Sequence, residues 1–248
     1  MTNTPSDLQR TTADSGLKIV IFIIFLILVV MGITAVIGIT FLGAGGLHLF
    51  TGLSTADLLS ALLGITNKTP WHLSRSAGTV AYLLLLGSTV WGLLLSSKII
   101  KEAVPAALSL AMHNILSWLA LAFTGFHALV LLLDNYYTYT LSDLTIPFIG
   151  PYRPGWVGLG ILSIYMMALI NISFSFRKQM GQKRWRSLHY LSFALFILAT
   201  IHGIGAGTDS SKTGMQIIYL ASGLLVFFLS TYRLLTGKIS KQLLSRSD

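Results

Sequence analysis

Tracts of apolar residues recur along this chain, each close to the ~20 residues that cross a ~30 Å hydrocarbon core as a helix. Six can be marked, at residues 19–42, 78–95, 106–133, 155–172, 188–205 and 215–235. In hydrocarbon a backbone must satisfy its own hydrogen bonds, so each tract is expected to be helical. The pattern predicts an all-α membrane protein, a six-transmembrane-helix bundle. Composition agrees: of 248 residues, 54% are hydrophobic and 10% charged, well outside the soluble norm. The spans leave no length for a soluble catalytic domain. The chain has no cysteine, which excludes disulfides, iron–sulfur clusters and thiolate-bound metals. The run at 19–42 is longer than the 7–15 residue core typical of a signal peptide, so it is read as a helix.

Charge sets an expected orientation. The net charge is +9, which basic residues at cytoplasmic helix ends explain better than nucleic-acid binding. Thirteen of the 17 Lys and Arg fall on one side of the spans, five of them between Arg177 and Arg186. The other side has Lys68, Arg75, Arg153 and Lys212. The positive-inside rule then puts both termini in the cytoplasm of a multi-pass protein of the cell membrane. Residues 1–18 and 237–248 are expected as cytoplasmic tails, 19–70 as the first transmembrane helix with its outer loop, and 71–236 as the main bundle. Ser54 and Asp57 fit a capping box before a short outer helix at 58–63. The loop 136–154, with Ser142, Asp143 and Pro147, predicts a second surface turn or helix. No internal repeat is evident.

Four of the six histidines lie inside two of these spans. Ionisable groups at membrane depth are costly and usually functional. His113 and His127 are 14 residues apart, about 21 Å along a helix and within about 40° of one another in azimuth. Ser117, Ala120 and Thr124 fall near the same face; such small residues leave room for a flat group, or simply form a packing seam. His189 and His202 are 13 apart, about 19.5 Å, but offset by roughly 140° in an ideal helix. A tilt, a supercoil or a local distortion must absorb part of that offset. Both spans run in the same direction, which pairs His113 with His189 and His127 with His202. Two stacked bis-histidine haems need such an arrangement, and it suits electron transfer more than oxygen binding because no coordination position is open. Each ligand's second ring nitrogen is expected to donate to a carbonyl or hydroxyl.

The competing expectation is a non-redox membrane protein whose histidines pack helices or bind a transition metal. Zinc and iron sites usually add carboxylates, and none of the eight Asp and Glu lies in a span core. Their absence also argues against a proton-coupled transporter. His48 and His72 flank outer helix ends and are expected at the interface.

Three stretches resemble the ferric reductase-like transmembrane domain family, which includes NADPH oxidases, ferric reductases and the haem subunit of bacterial methionine sulfoxide repair. Residues 71–84, with Arg75, Gly78 and Ala81, resemble its opening R-x-x-G-x-x-A helix. Residues 112–127 resemble its first histidine helix, and 185–190 with 201–203 its second. The resemblance implies a bundle binding two b-type haems, with His113, His127, His189 and His202 as iron ligands. Family reductases also fuse a cytoplasmic flavin and nicotinamide domain. This sequence lacks it, so the expectation is an oxidoreductase membrane subunit. The glycine-rich run at 203–207 lacks the strand-turn-helix context of a dinucleotide site.

The expected path takes electrons from a cytoplasmic flavoprotein, a ferredoxin-type reductase or a quinone, through both haems, to an extracytoplasmic acceptor. Such transfer is electrogenic, about 2.3 kcal/mol per electron across 100 mV. Haem propionates need cationic partners: Arg75 and Arg153 are the outer candidates, Arg186 and Lys183 the inner ones. Phe196 and Trp118 lie near mid-membrane, where either has the position to sit between the haems and lipid-facing packing is the expectation for each.

Overall fold

A computed structural model describes residues 68–97, 99, 100 and 104–244, with side chains as far as 236. The expected span at 19–42, the outer helix at 58–63 and His48 lie outside the described residues. Eight α-helices follow within them: α1 (Thr69–Ser96), α2 (Ala106–Val130), α3 (Leu141–Thr145), α4 (Pro154–Ser175), α5 (Arg177–Met180), α6 (Gln182–His189), α7 (Leu191–Ala206) and α8 (Thr213–Leu244). A 3-10 turn, Leu131–Leu133, extends α2. Among the described residues there is no strand.

Five segments are long and apolar enough to cross a membrane: Thr69–Ser96, Ala106–Leu133, Pro154–Ser175, Gln182–Ala206 and Thr213–Thr236. Large apolar side chains point out of the bundle, Phe227 being 71% and Phe228 65% exposed. Faces like these suit contact with hydrocarbon.

Helix ends follow local chemistry. Pro70 and Pro154 stand in the first turns of α1 and α4, where a missing N–H costs nothing. The first helix therefore begins nine residues before the apolar tract that announced it, since polar residues can occupy a helix end outside hydrocarbon. Between α5 and α6, Gly181 takes φ +81°, a conformation glycine adopts without steric cost. The stretch from Arg177 to Arg186, expected as a loop, is mostly helical, with the Arg177 guanidinium 4.2 Å from the Phe174 ring centroid.

Two antiparallel pairs make the frame. α1 packs along α2, and α4 packs along α7. α8 lies against α1, and lighter contacts join α1 to α7 and α2 to α4. Val80, Leu84, Met112, Leu116, Ala120, Leu195 and Phe196 fill the centre. Tyr82 adds a hydroxyl there, 2.5 Å from Ser222 Oγ and 3.2 Å from Thr200 Oγ1, tying α1 to α8 and α7. The backbones of α2 and α7 are not packed on each other as the frame pairs are. Each histidine helix is held by its own neighbour, and side chains span the interval.

The loop before α4 folds over one end of the bundle. Thr140 and Asp143 form a capping box on α3, within the loop expected to make a turn or helix. The Asp143 carboxyl is held below its usual range by hydrogen bonds from Thr140. Nearby, burial pushes the Tyr139 hydroxyl up to about 12, with Asp134 adding to the shift.

Candidate functional site

The four membrane histidines come together in two pairs. The rings of His113 and His189 have centroids 5.9 Å apart at an interplanar angle of 80°. Those of His127 and His202 are 6.3 Å apart at 72°. The pairing expected from spacing and common direction is the one observed. The second histidine helix is irregular just past His189: α6 ends there, Tyr190 keeps right-handed helical backbone angles, and α7 begins at Leu191. The Phe193 N–H bonds to the Tyr190 carbonyl, three residues back, so the ideal 100° step does not run through the segment.

Backbone carbonyls fix three of the rings. Nδ1 of His113 lies 3.0 Å from the Ser88 carbonyl, Nδ1 of His127 2.7 Å from that of Ser74, and Nδ1 of His202 2.8 Å from that of Trp156. A carbonyl only accepts, so each Nδ1 bears the proton and each Nε2 keeps a free lone pair. The serines close the clamp in return: Ser74 Oγ donates to the His127 carbonyl at 3.4 Å and Ser88 Oγ to that of His113 at 3.5 Å.

Glycine makes room for the same three rings. A Cβ on Gly78 would sit 3.0 Å from the His127 ring, one on Gly92 3.0 Å from His113, and one on Gly160 2.6 Å from His202. Real Cβ atoms rarely approach closer than 3.4 Å. Each glycine follows the residue whose carbonyl accepts from the ring by four residues, one helical turn, as Ser74/Gly78, Ser88/Gly92 and Trp156/Gly160. The first two units are 14 residues apart, the spacing of His113 and His127. Sequence reading found no internal repeat, and this clamp motif was its missed signal. It also gives the glycine of the R-x-x-G element a steric reason.

His189 differs. Its Nδ1 is buried with no hydrogen-bond partner, and its ring stacks on Trp185 at 5.0 Å and 20°.

A cavity of about 400 Å³ adjoins the His113/His189 pair. Ser117, Ala120, Asn171, Trp185, Arg186 and Arg233 are among its walls. Ser117 also donates to Asn171 Oδ1 at 2.8 Å, and Asn171 Nδ2 returns to the Ser117 carbonyl at 3.3 Å. The small face of α2 is thus both a packing seam and a cavity wall, except Thr124, which bonds back to its own helix. Asn171 and Arg233 escaped sequence reading as site residues because each is the one amide or the one charged residue of its own span and forms no pattern there.

The remaining cations are dispersed. Arg186 reaches the cavity. Arg75 is ion-paired with Asp209 and lies 4.0 Å over the Trp71 ring. Arg153, at φ 40°, donates from Nη1 to the Gly205 carbonyl at 2.6 Å. Lys183 borders a second hollow beside Arg186 and Tyr190. His72 packs edge-on against Trp71 at 4.8 Å. Trp118 is 44% exposed and faces outward as expected. Phe196 does not: it is 5% exposed and stacks on Tyr82, because the α7 face that carries it turns toward α1.

Compared with protein-family models, curated proteins and solved structures, the chain finds no match.

Proposed function

We propose that this protein carries electrons across the cell membrane through two b-type haems, one held by His113 and His189, the other by His127 and His202. The observation that carries this reading is the paired geometry of the rings. Two imidazoles bonded through Nε2 to one metal ion, at about 2 Å each and about 1.1 Å more to each ring centre, put their centroids roughly 6.2 Å apart. The observed values are 5.9 and 6.3 Å. The protonated Nδ1 atoms of three rings leave Nε2 as the available ligand, and outer-shell acceptors of this kind orient metal-bound imidazoles.

The donor set favours a macrocycle over a bare ion. Among the described residues no three His, Cys, Asp or Glu gather at one point, whereas a structural zinc site wants four ligands. Each level supplies two, which is the axial requirement of a porphyrin iron. Bound haem would supply one-electron redox chemistry. The chain's part is to orient the rings, to exclude water with Leu195, Phe196 and Ala120, and to offer Arg186 and Arg233 to anionic groups near the His113/His189 level. By the charge argument that level is the cytoplasmic one. It would receive electrons from a flavoprotein, ferredoxin-type reductase or quinone, and the His127/His202 level would deliver them to an extracytoplasmic acceptor. The ferric reductase-like resemblance, resting on its motifs alone, points to the same role as the membrane subunit of a reductase.

A dithionite-reduced minus oxidised spectrum of the purified protein tests this. Sharp b-type alpha and Soret bands, with about two haems per chain, are expected. His127→Ala or His202→Ala should remove one of the two. No Soret band from haem-replete cells would leave the histidines as packing or metal-binding groups.

A further inference from the structure

The four rings are not held alike. His113, His127 and His202 each have a carbonyl on Nδ1 and a glycine against one face. His189 has neither. Its Nδ1 is buried without a partner, and no glycine of the described residues lies against it. It is the last residue of the eight-residue α6, next to the irregular turn at Tyr190. Its ring is steadied by the stack on Trp185, whose own indole N–H is also buried and unpartnered.

The cavity beside His189 shares Arg186 and Tyr190 with a second hollow of about 470 Å³ that Gln182, Lys183 and Ser187 complete.

On the haem reading above, we infer that His189 is the exchangeable ligand. The His113/His189 level then admits a small neutral lone-pair donor, such as carbon monoxide on ferrous iron, more readily than the His127/His202 level does. The exchange is redox-neutral. The bond between iron and His189 Nε2 breaks with its pair returning to nitrogen, and the incoming atom donates its own pair. Losing an outer-shell partner typically costs 10- to 100-fold in metal affinity. The two levels should differ in carbon monoxide affinity by about that factor.

The test is a carbon monoxide titration of the full, haem-loaded, dithionite-reduced chain, read in the Soret difference spectrum. Half of the haem should bind at low concentration, and the rest only at roughly 10- to 100-fold more. Trp185→Leu removes the stack and should lower the first midpoint without moving the second. Trp185→Phe keeps the stack and should leave both midpoints in place. All haem binding together, or none binding, would overturn the inference. So would a first midpoint that Trp185→Leu leaves unmoved, or that both variants shift equally. A missing Soret band before any gas is added refutes the haem reading itself, which separates the two failures.

Discussion

Gly160→Ala puts the clamp under direct strain. The added Cβ would lie 2.6 Å from Nδ1 of His202 and 2.7 Å from its Cε1, where ordinary contact begins at 3.4 Å. The neighbouring atoms are a ring held on the same side by a 2.8 Å bond to the Trp156 carbonyl. Relief requires about 0.8 Å of ring movement, enough to stretch that bond beyond hydrogen-bonding range. Three quantities compete. Alanine gains up to about 1 kcal/mol over glycine in helix propensity. Overpacking costs about 1–3 kcal/mol. Loss of the orienting acceptor costs about 10- to 100-fold in metal affinity, equivalent to about 1.4–2.8 kcal/mol. The costs win, so on the proposed haem reading the His127/His202 level should lose haem while the His113/His189 level keeps it. Pyridine haemochrome stoichiometry on purified protein should fall from about two toward one per chain. Gly125→Ala is the matched control, since nothing lies within 4 Å of its added Cβ, and it should retain both. Full haem content and an unshifted spectrum in Gly160→Ala would refute the idea that this glycine sets the ring's position.

Further expectations follow from single contacts. Gly92→Ala meets His113 at 3.0 Å rather than 2.6 Å, so it should loosen the other level and less severely; haem retention during detergent dialysis measures the order. Asn171→Leu removes both bonds to Ser117 and should destabilise by about 0.6–1.7 kcal/mol, the range for interhelical hydrogen bonds in membranes, read as a lower midpoint in thermal unfolding. Tyr82→Phe keeps the stack on Phe196 but loses the hydroxyl contacts to Ser222 and Thr200; a loss within the same range is expected, and an unchanged midpoint would mean the hydroxyl network adds nothing. For Asp143, bonding from Thr140 depresses the folded carboxyl below its ordinary value of 3.8. Its contribution to the α3 cap is therefore complete above that value and lost as pH falls through the lower folded value. Amide exchange at Asp143 should accelerate on that acid side in wild type, and be pH-insensitive by this route in Asp143→Asn.

The sequence by itself determined the medium and the candidate residues. Runs of apolar side chains form helices in hydrocarbon, so the five described spans were legible from composition; their limits were missed by more than a turn at the start of α1, at the start of the segment Gln182–Ala206 and at the end of α8. The spacings of 14 and 13 between histidines were enough to predict which ring meets which, because helical rise depends on residue count alone. What spacing left open was azimuth, since 13 residues of ideal helix turn His189 and His202 apart. Only the tertiary structure decided that, by bringing the paired rings to 5.9 and 6.3 Å across an irregular turn after His189. It also decided the tautomers. The acceptors at Ser74, Ser88 and Trp156 are main-chain carbonyls, and any residue has one, so no side-chain pattern could name them until two helices were laid side by side. Asn171 and Arg233 were hidden for the same reason: a polar group in one span acquires meaning from what faces it on another.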